Sequence, residues 1–392
     1  LSSRVILKRS IKRRIAFGHP WVYDNEIDRS DDLEDGSIVD VLTHSGQFLG
    51  RGYYNSGSTI RVRLLTRRNC RFDVGFFSKK IERSALLKSS LLRTSDAMRI
   101  VFGEADGLPG LIVDRFSEWL VVQFNTLGIA RLKDVIVEAL ISVFKPKGIF
   151  EKSEGISLIK EGLEAREDWI YGSGPELLPF SSDGIIFFAD TKGQKTGFFL
   201  DQRENAIRLS QYATDREILD VFSYTGNFSF HCIKKGARSA TLVDASERAL
   251  SVARETAEAN RFTDSCQFVR ANAFDYLRAS DLPRTDLVII DPPAMAKTPS
   301  SKRSALRGYK ELNLRATKIL KNEALLASSS CTQIVSEEDW SRTINDAFHD
   351  SKKVGVIVFR GGQPVDHPEV SSIFETRYLK FCLYRIFELA DY

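Results

Sequence analysis

The pattern of apolar and polar positions changes character twice along the chain. Over residues 1–73, short runs such as Ser37–Leu42, Phe48–Tyr54 and Thr59–Leu65 alternate and are broken by Gly, Asn and Ser. That is the signature of half-buried strands joined by turns, and it predicts a small β-rich domain. From Phe76 to Arg93 the spacing becomes helical, with Phe77, Ile81, Leu86 and Leu87 recurring. This helix opens a central α+β domain over 74–178. Within it, Gly103–Phe116 reads as a glycine-rich turn, Trp119–Asn125 as a strand, and Ile129–Phe144 as a helix stopped by Pro146 and Gly148.

Over 179–392 strands and helices alternate, which predicts an α/β domain with a mostly parallel sheet covered on both faces. The expected strands are Glu217–Ser223, Ala240–Asp244, Cys266–Arg270, Asp286–Ile290 and Glu323–Ser329, closed by Val354–Phe359 and Arg377–Phe387. The expected helices are Phe228–Lys235, Ser246–Asn260 and Ser304–Leu320, and Ser336 starts a further one with Asp339 placed as in a capping box.

The chain has 392 residues, too many for one ordinary core, which agrees with several domains. Apolar residues make up 43% and charged residues 28%, the balance of a soluble globular protein. No stretch approaches the ~20 apolar residues of a membrane span, so no membrane association is expected. The basic N-terminus is not followed by an apolar run, so no secretory leader is expected either. Cys70, Cys232, Cys266, Cys331 and Cys382 are scattered and odd in number, without a CxxC pair. This argues against a disulfide framework or a zinc site and for the cytoplasm.

A net charge of +4 does not demand a nucleic-acid partner. Its distribution says more. Arg4, Lys8, Arg9, Lys12, Arg13 and Arg14 form one cluster, and Arg61, Arg63, Arg67, Arg68 and Arg71 a second. Charge alone leaves two readings open, a solvated face or a phosphate-binding surface.

The candidate chemistry lies at the strand ends of the third domain. The first strand runs into Asp220-Val-Phe-Ser-Tyr-Thr-Gly226, a turn that brings backbone close to a ligand at the carboxyl edge of a sheet. The second strand ends in Asp244, placed to accept hydrogen bonds from two ribose hydroxyls. GxGxxG is absent, which counts against a nicotinamide enzyme. Asn272, after the third strand, can bond an adenine edge or cap a helix. The fourth strand ends in Asp291-Pro292-Pro293, where two prolines hold the acid on extended backbone outside the ladder.

With these features in order, the C-terminal half resembles a class I S-adenosylmethionine methyltransferase, and the whole chain resembles the bacterial ribosomal RNA large-subunit methyltransferase I family. The resemblance is carried by Gly18-His-Pro-Trp-Val-Tyr, Phe102-Gly-Glu-Ala-Asp-Gly-Leu-Pro-Gly, Lys195-Thr-Gly-Phe-Phe-Leu-Asp-Gln-Arg203, the Asp220–Gly226 turn, Asp291-Pro-Pro, Ser330-Cys331-Thr332 and Asp366-His-Pro. It implies an N-terminal PUA domain that binds RNA, a central domain, and a Rossmann-like methyltransferase domain making 5-methylcytosine in 23S rRNA with S-adenosyl-L-methionine. It further implies that Phe222, Ser223, Tyr224 and Gly226 line the methionine side of the cofactor. Asp244 would hold the ribose and Asn272 the adenine. Gln202 and Arg203 would lie near the cofactor carboxylate or the pocket mouth, and Asp291 would both border the cofactor and face the target base.

Carbon 5 of cytosine is a poor nucleophile, and the chemistry needs a thiolate on carbon 6 and an acid at the ring. Cys331, after the fifth strand, is the candidate, with a buried inert thiol as the other reading. The family has Ser-Cys-Ser where this chain has Ser330-Cys331-Thr332, one residue further from the apolar strand. Cys70, Cys232, Cys266 and Cys382 read as structural. His367 is either a loop or capping residue or a substrate contact. Phe198, Phe199 and Tyr309 can stack on bases or fill the core, and Arg303, Arg307 and Lys310 can meet phosphates. Three other functions stay open: methylation of a guanine nitrogen in RNA, an inactive RNA-binding or assembly protein, and a small-molecule methyltransferase. The oligomeric state, a homodimer included, is also open.

Overall fold

The structure, a computed structural model, describes residues 3–10, 13–89, 94–279 and 281–392. Lys12 and the end of the expected Phe76–Arg93 helix lie outside the described residues. The chain forms two compact units. One comprises Leu1–Ser181, Ala189–Phe198 and Val365–Thr376, the other Ser182–Phe188, Phe199–Pro364 and Arg377–Tyr392.

The first unit holds two sheets among the described residues. Its N-terminal part contains β1 (Ser3–Leu7), α1 (Arg13–Ala16), β2 (Trp21–Tyr23), β3 (Ile27–Ser30), β4 (Ile38–Leu42), β5 (Phe48–Tyr54) and β6 (Ile60–Thr66). These strands pair in the order β2-β6-β5-β4-β1-β3. The apolar members of the alternating runs, among them Val39, Val41, Val62 and Leu64, close on Val5, Leu7, Ile15 and Val22.

The second sheet of this unit follows α2 (Val74–Ser89) and contains β7 (Ala97–Phe102), β8 (Leu111–Phe116) and β9 (Trp119–Phe124). After α3 (Leu127–Arg131) and α4 (Lys133–Phe144) come β10 (Gly148–Ser153), α5 (Ile156–Glu161) and β11 (Arg166–Gly172). The strand order is β11-β10-β9-β8-β7. Three expectations are corrected here. Only the first part of Gly103–Phe116 is a turn, because Leu111, Val113 and Phe116 are buried in β8. Ile129–Phe144 lies within two helices broken at Leu132. On α2, Phe77 and Ile81 face the core, whereas Leu86 and Leu87 are 71% and 62% exposed.

The Asp366-His367 motif braces this same sheet. Asp366 Oδ2 accepts from the Arg99 amide at 3.0 Å, and Oδ1 lies 3.0 Å from His367 Nδ1. The imidazole packs on Phe102 with ring centroids 5.3 Å apart. Both residues are buried.

Strands β12 (Leu177–Ser182) and β13 (Ile185–Asp190) follow, and the second unit then runs through α6 (Arg203–Ser210), β14 (Glu217–Val221), α7 (Asn227–Lys234), β15 (Ser239–Asp244), α8 (Glu247–Asn260), β16 (Cys266–Arg270) and α9 (Ala273–Arg278). It continues with β17 (Thr285–Ile290), α10 (Lys302–Lys318), β18 (Leu320–Ser330), α11 (Glu337–Asp350), β19 (Lys353–Gly361) and β20 (Lys380–Glu388). Among the described residues the sheet order is β16-β15-β14-β17-β18-β20-β19. The first five strands are parallel, and β20 runs antiparallel to both its neighbours. The central strands are buried on both faces, as parallel strands under helices must be. Ser336 caps α11 as its spacing predicts, accepting from the Asp339 amide at 3.1 Å. The order reverses between β14 and β17, and the crevice at the carboxyl ends of those strands is where such sheets bind ligands.

Candidate active site

β14 ends at Val221, two residues earlier than its pattern predicts, because the backbone turns over. Phe222 (φ 65°), Tyr224 (φ 48°) and Gly226 (φ 84°) all take left-handed conformations. For the first two, which carry a Cβ, this costs on the order of 1 kcal/mol each. The surroundings hold them there. The amides of Phe222 and Ser223 both donate to Val243 O, at 3.0 and 3.1 Å, and the Tyr224 amide donates to Asp244 Oδ2 at 2.9 Å. At Gly226 a Cβ would come within 2.4 Å of Phe230 and 2.9 Å of Leu242, so only glycine fits.

Around this turn several buried polar atoms lack a protein partner. They are Asp220 Oδ1, Ser223 Oγ and both side-chain polar atoms of Asn227. Asp220 is fully buried, and desolvation pushes its carboxyl up to about 7 although Ser229 donates to Oδ2 at 2.7 Å. Unsatisfied buried polar atoms cost about 1–3 kcal/mol each and call for an occupant with complementary donors and acceptors. The charged amino-acid end of S-adenosylmethionine is such an occupant. Asp244 Oδ1 accepts from the Ser246 amide at 2.8 Å, and each carboxylate oxygen keeps a second lone-pair direction for a ribose hydroxyl. Asn272 is exposed at the start of α9, and its Oδ1 caps that helix through the amides of Phe274 and Asp275. Its NH2 group takes no part in the cap.

The second half of the site centres on Asp291. Gln202, in the 3-10 turn Leu200–Gln202, donates from Nε2 to Asp291 Oδ1 at 2.8 Å and to Ser329 Oγ at 3.1 Å. Ser329 donates to the same Asp291 oxygen. Asn205 in turn donates to Gln202 Oε1 at 2.7 Å. Arg203, the first residue of α6, is buried, and its charge reaches His231 on α7. Sequence reasoning missed Ser329 and Asn205. The one signal available was that Asn205 lies three residues beyond Gln202, on the same helical face.

Cys331 follows directly on β18, which runs through Ser330 and so accounts for the extra residue in the spacing. Its thiol donates to Pro292 O at 3.8 Å, next to Asp291. The residues on either side are fixed by one phenol. Tyr309 OH lies 2.9 Å from Ser330 Oγ and 2.7 Å from Thr332 Oγ1. Tyr309 is therefore committed to the core and is no stacking platform. Phe198 is likewise buried against Phe180, whereas Phe199 is part-exposed and packs edge-on against Tyr224. On α10, Arg303 and Arg307 are exposed, and Lys310 is bridged to Asp350 at 2.8 Å. Cys232 and Cys382 are buried, and burial pushes the Cys266 thiol up to about 12, so these three behave as packing groups.

The basic clusters divide by role. Arg14 pairs with Glu26, Arg63 with Glu161 at 2.8 Å, and Arg67 donates to Ile15 O and His19 O. Arg4, Lys8, Arg9, Arg13, Arg68 and Arg71 are exposed. Lys8 still donates to Asn25 O, at 2.9 Å. Among the described residues no helix is long and apolar enough to cross a membrane.

Comparison with known proteins agrees with this fold. Residues 5–67 match the model of a PUA-like domain, and residues 160–338 match that of an S-adenosylmethionine-dependent methyltransferase. A crystal structure of SMU.776 complexed with SAH superposes with a TM-score of 0.83 at 22% identity, covering 97% of this chain and 99% of that one. The fold and the nucleotide crevice thus define an S-adenosylmethionine-dependent methyltransferase carrying a PUA-like domain. Ribosomal RNA large subunit methyltransferase I of Klebsiella pneumoniae is 32% identical over 389 residues, with 97% of each chain covered. The protein of that name from Aliivibrio fischeri is 34% identical, with 95% of each covered. The chain belongs to the ribosomal RNA large subunit methyltransferase I family.

Proposed function

We propose that this protein methylates carbon 5 of a cytosine in 23S ribosomal RNA, with Cys331 as the nucleophile. The observation that carries this reading is the Cys331 thiol against Pro292 O, beside Asp291 and at the carboxyl edge of the sheet. A methyltransferase acting on an exocyclic amine has no use for a thiol there. The relatives, named for methylation of large-subunit ribosomal RNA, support the substrate class.

Bound S-adenosylmethionine supplies an electrophilic methyl group on a sulfonium. Phe222, Ser223, Tyr224 and Gly226 would line its methionine side, Asp244 would take the ribose hydroxyls and the Asn272 NH2 would be free for the adenine. Gln202 acts through Asp291 rather than on the cofactor carboxylate. The Cys331 thiolate adds to carbon 6 of the cytosine, which places the electron pair on carbon 5. Asp291, protonated when the base is bound, would give its proton to N3, so that no net negative charge builds on the ring as the thiolate adds, and would keep the ring in place as the resulting carboxylate. Carbon 5 would take the methyl group as the sulfonium–methyl bond breaks and S-adenosylhomocysteine leaves; a base then removes the carbon-5 proton, and that electron pair restores the carbon 5–carbon 6 double bond and expels the thiolate. The target base must leave its stack to reach this crevice. The PUA-like domain, taken as residues 1–73, holds the RNA through its exposed arginines, ahead of a central domain at 74–178 and the catalytic domain at 179–392.

The test is methyl transfer to protein-free 23S rRNA with labelled cofactor, wild type beside Cys331→Ala, followed by nucleoside analysis. Label in 5-methylcytidine that disappears in the variant is the expected result. Label in a methylguanosine that survives the substitution would overturn the reading.

A further inference from the structure

One buried cation beside the nucleophile has no part in the reaction as written. Lys380 opens β20 and pairs with Ser330, the residue before Cys331. Its side chain is buried, and Nζ donates to Thr332 O at 3.0 Å and to Tyr378 O at 2.9 Å. One of those carbonyls belongs to the residue that follows the cysteine. Lys380 and Tyr309 therefore grip the same short segment, one through its backbone and the other through the side chains of Ser330 and Thr332.

Resting on the reading of Cys331 as nucleophile, we propose that Lys380 is the positioning residue of that cysteine, holding its loop and stabilising the thiolate with the positive charge it carries at neutral pH. Two of its three N–H groups are spent on the carbonyls, which anchors the charge on the residue next to the cysteine. Glu337 on α11 and Arg377 ahead of β20 act on Lys380, and both Cys331 and Asp291, after β17, act on Tyr309 of α10. Burial lowers Lys380 to about 8, and the largest opposing influence is Cys331 itself. At neutral pH the amine thus remains mostly a cation. The thiol proton goes to solvent, and Lys380 keeps its own. An ammonium group beside a thiol lowers the thiol's pKa, and this matters most where a carboxylate such as Asp291 would raise it.

The test reads the thiol directly. Full-length wild type, Lys380→Met and Lys380→Arg are alkylated with iodoacetamide from about pH 6 to 9, and each cysteine is quantified by peptide mass spectrometry. Cys70 serves as the internal control. Lys380→Met should move the Cys331 midpoint up by roughly one unit, a ~tenfold loss of rate at neutral pH, with Lys380→Arg close to wild type. A purely structural strap would alter stability and leave this profile in place. The proposal is overturned if the Cys331 midpoint stays put in Lys380→Met, or if Lys380→Arg shifts it as far. Should Lys380→Met fail to fold, Lys380→Gln, which keeps a donor without the charge, takes its place in the same comparison. The profile does not depend on the RNA product. A wild-type product other than 5-methylcytidine therefore sinks the reading it rests on, while an unmoved midpoint with 5-methylcytidine sinks the role of Lys380 alone.

Discussion

Gln202 Nε2 lies 2.8 Å from Asp291 Oδ1, and the same oxygen also accepts from Ser329. Two donors on one carboxylate oxygen fix the rotation of the group and so aim the carboxyl at a substrate. The amide is oriented in its turn by Asn205, whose NH2 donates to Gln202 Oε1 at 2.7 Å and to Gly362 O at 3.0 Å. Asp291→Asn should lower kcat by roughly 10²–10⁴-fold, the range for losing a positioned acid-base group. Gln202→Leu should lower kcat by about tenfold, the equivalent of one hydrogen bond of ~1.4 kcal/mol. Cofactor affinity should barely change in Gln202→Leu. Single-turnover rates measured alongside S-adenosylhomocysteine titrations check this, and a large loss of affinity with unchanged kcat would return Gln202 to the cofactor.

Tyr309→Phe tests the clamp on the cysteine loop. The substitution removes one buried hydroxyl that contacts Ser330 Oγ and Thr332 Oγ1 and leaves those partners in a dry site. The expected cost is about 1–3 kcal/mol of stability. Because the loop that loosens carries Cys331, kcat should fall while KM for RNA stays near wild type. Denaturant melts and steady-state kinetics on one preparation separate the two effects.

The sequence made the parallel sheet legible because its central strands are apolar throughout and each ends in a chemically distinctive residue, such as Asp220, Asp244 or Asp291. The β8 strand was obscured by the glycines before it, which made Leu111–Phe116 look like the rest of a turn. Leu86 and Leu87 fit a helical period yet face solvent, since hydrophobic spacing marks a face only if a partner element covers it. In the site, residues at strand ends could be found from order alone. Most contacts of Gln202, Ser329, Asn205 and Lys380 could not, because they join positions 38 to 157 residues apart or sit within runs of serine. Asn272 shows the converse. A residue type suited to adenine also suits a helix cap, and its oxygen does the second.

Asp220 gives the protein a pH-dependent stability that one substitution removes. Its carboxyl is pushed up to about 7 in the fold, against 3.8 for an ordinary aspartate, so the fold favours the protonated form. The stability this confers is fully present below the unfolded value and is lost as pH rises through about 7. Asp220→Asn can still accept from Ser229 and cannot ionise. The melting temperature of the variant, relative to wild type, should therefore climb between about pH 4 and 8 in the absence of cofactor. Parallel curves across that range would show that Asp220 titrates near the ordinary carboxylate value.

The arginines of the PUA-like domain should separate into two groups by what their loss changes. Arg14 is bonded to Trp21 O and paired with Glu26, and Arg63 is buried against Glu161. Truncating either strands a buried acid, a loss of roughly 3–5 kcal/mol where the pair is dry. Arg14→Ala and Arg63→Ala should thus lower the melting temperature of the domain. Arg9, Arg13, Arg68 and Arg71 stand in solvent, where a charge adds little to folding. Replacing these four with Gln should leave the melting temperature within about a degree or two, because exposed substitutions away from packed features change stability by under ~0.5 kcal/mol. Their expected effect is on RNA binding. Each arginine that neutralises a phosphate releases counterions, at ~0.7–0.9 in the slope of log affinity against log salt. If all four engage the backbone, the fourfold variant should bind large-subunit rRNA more weakly at low salt, with a slope shallower by about 3. Filter binding across a salt series measures it. An unchanged slope would make the exposed cluster a solubilising surface and move the search for the RNA path to Arg303 and Arg307 on α10.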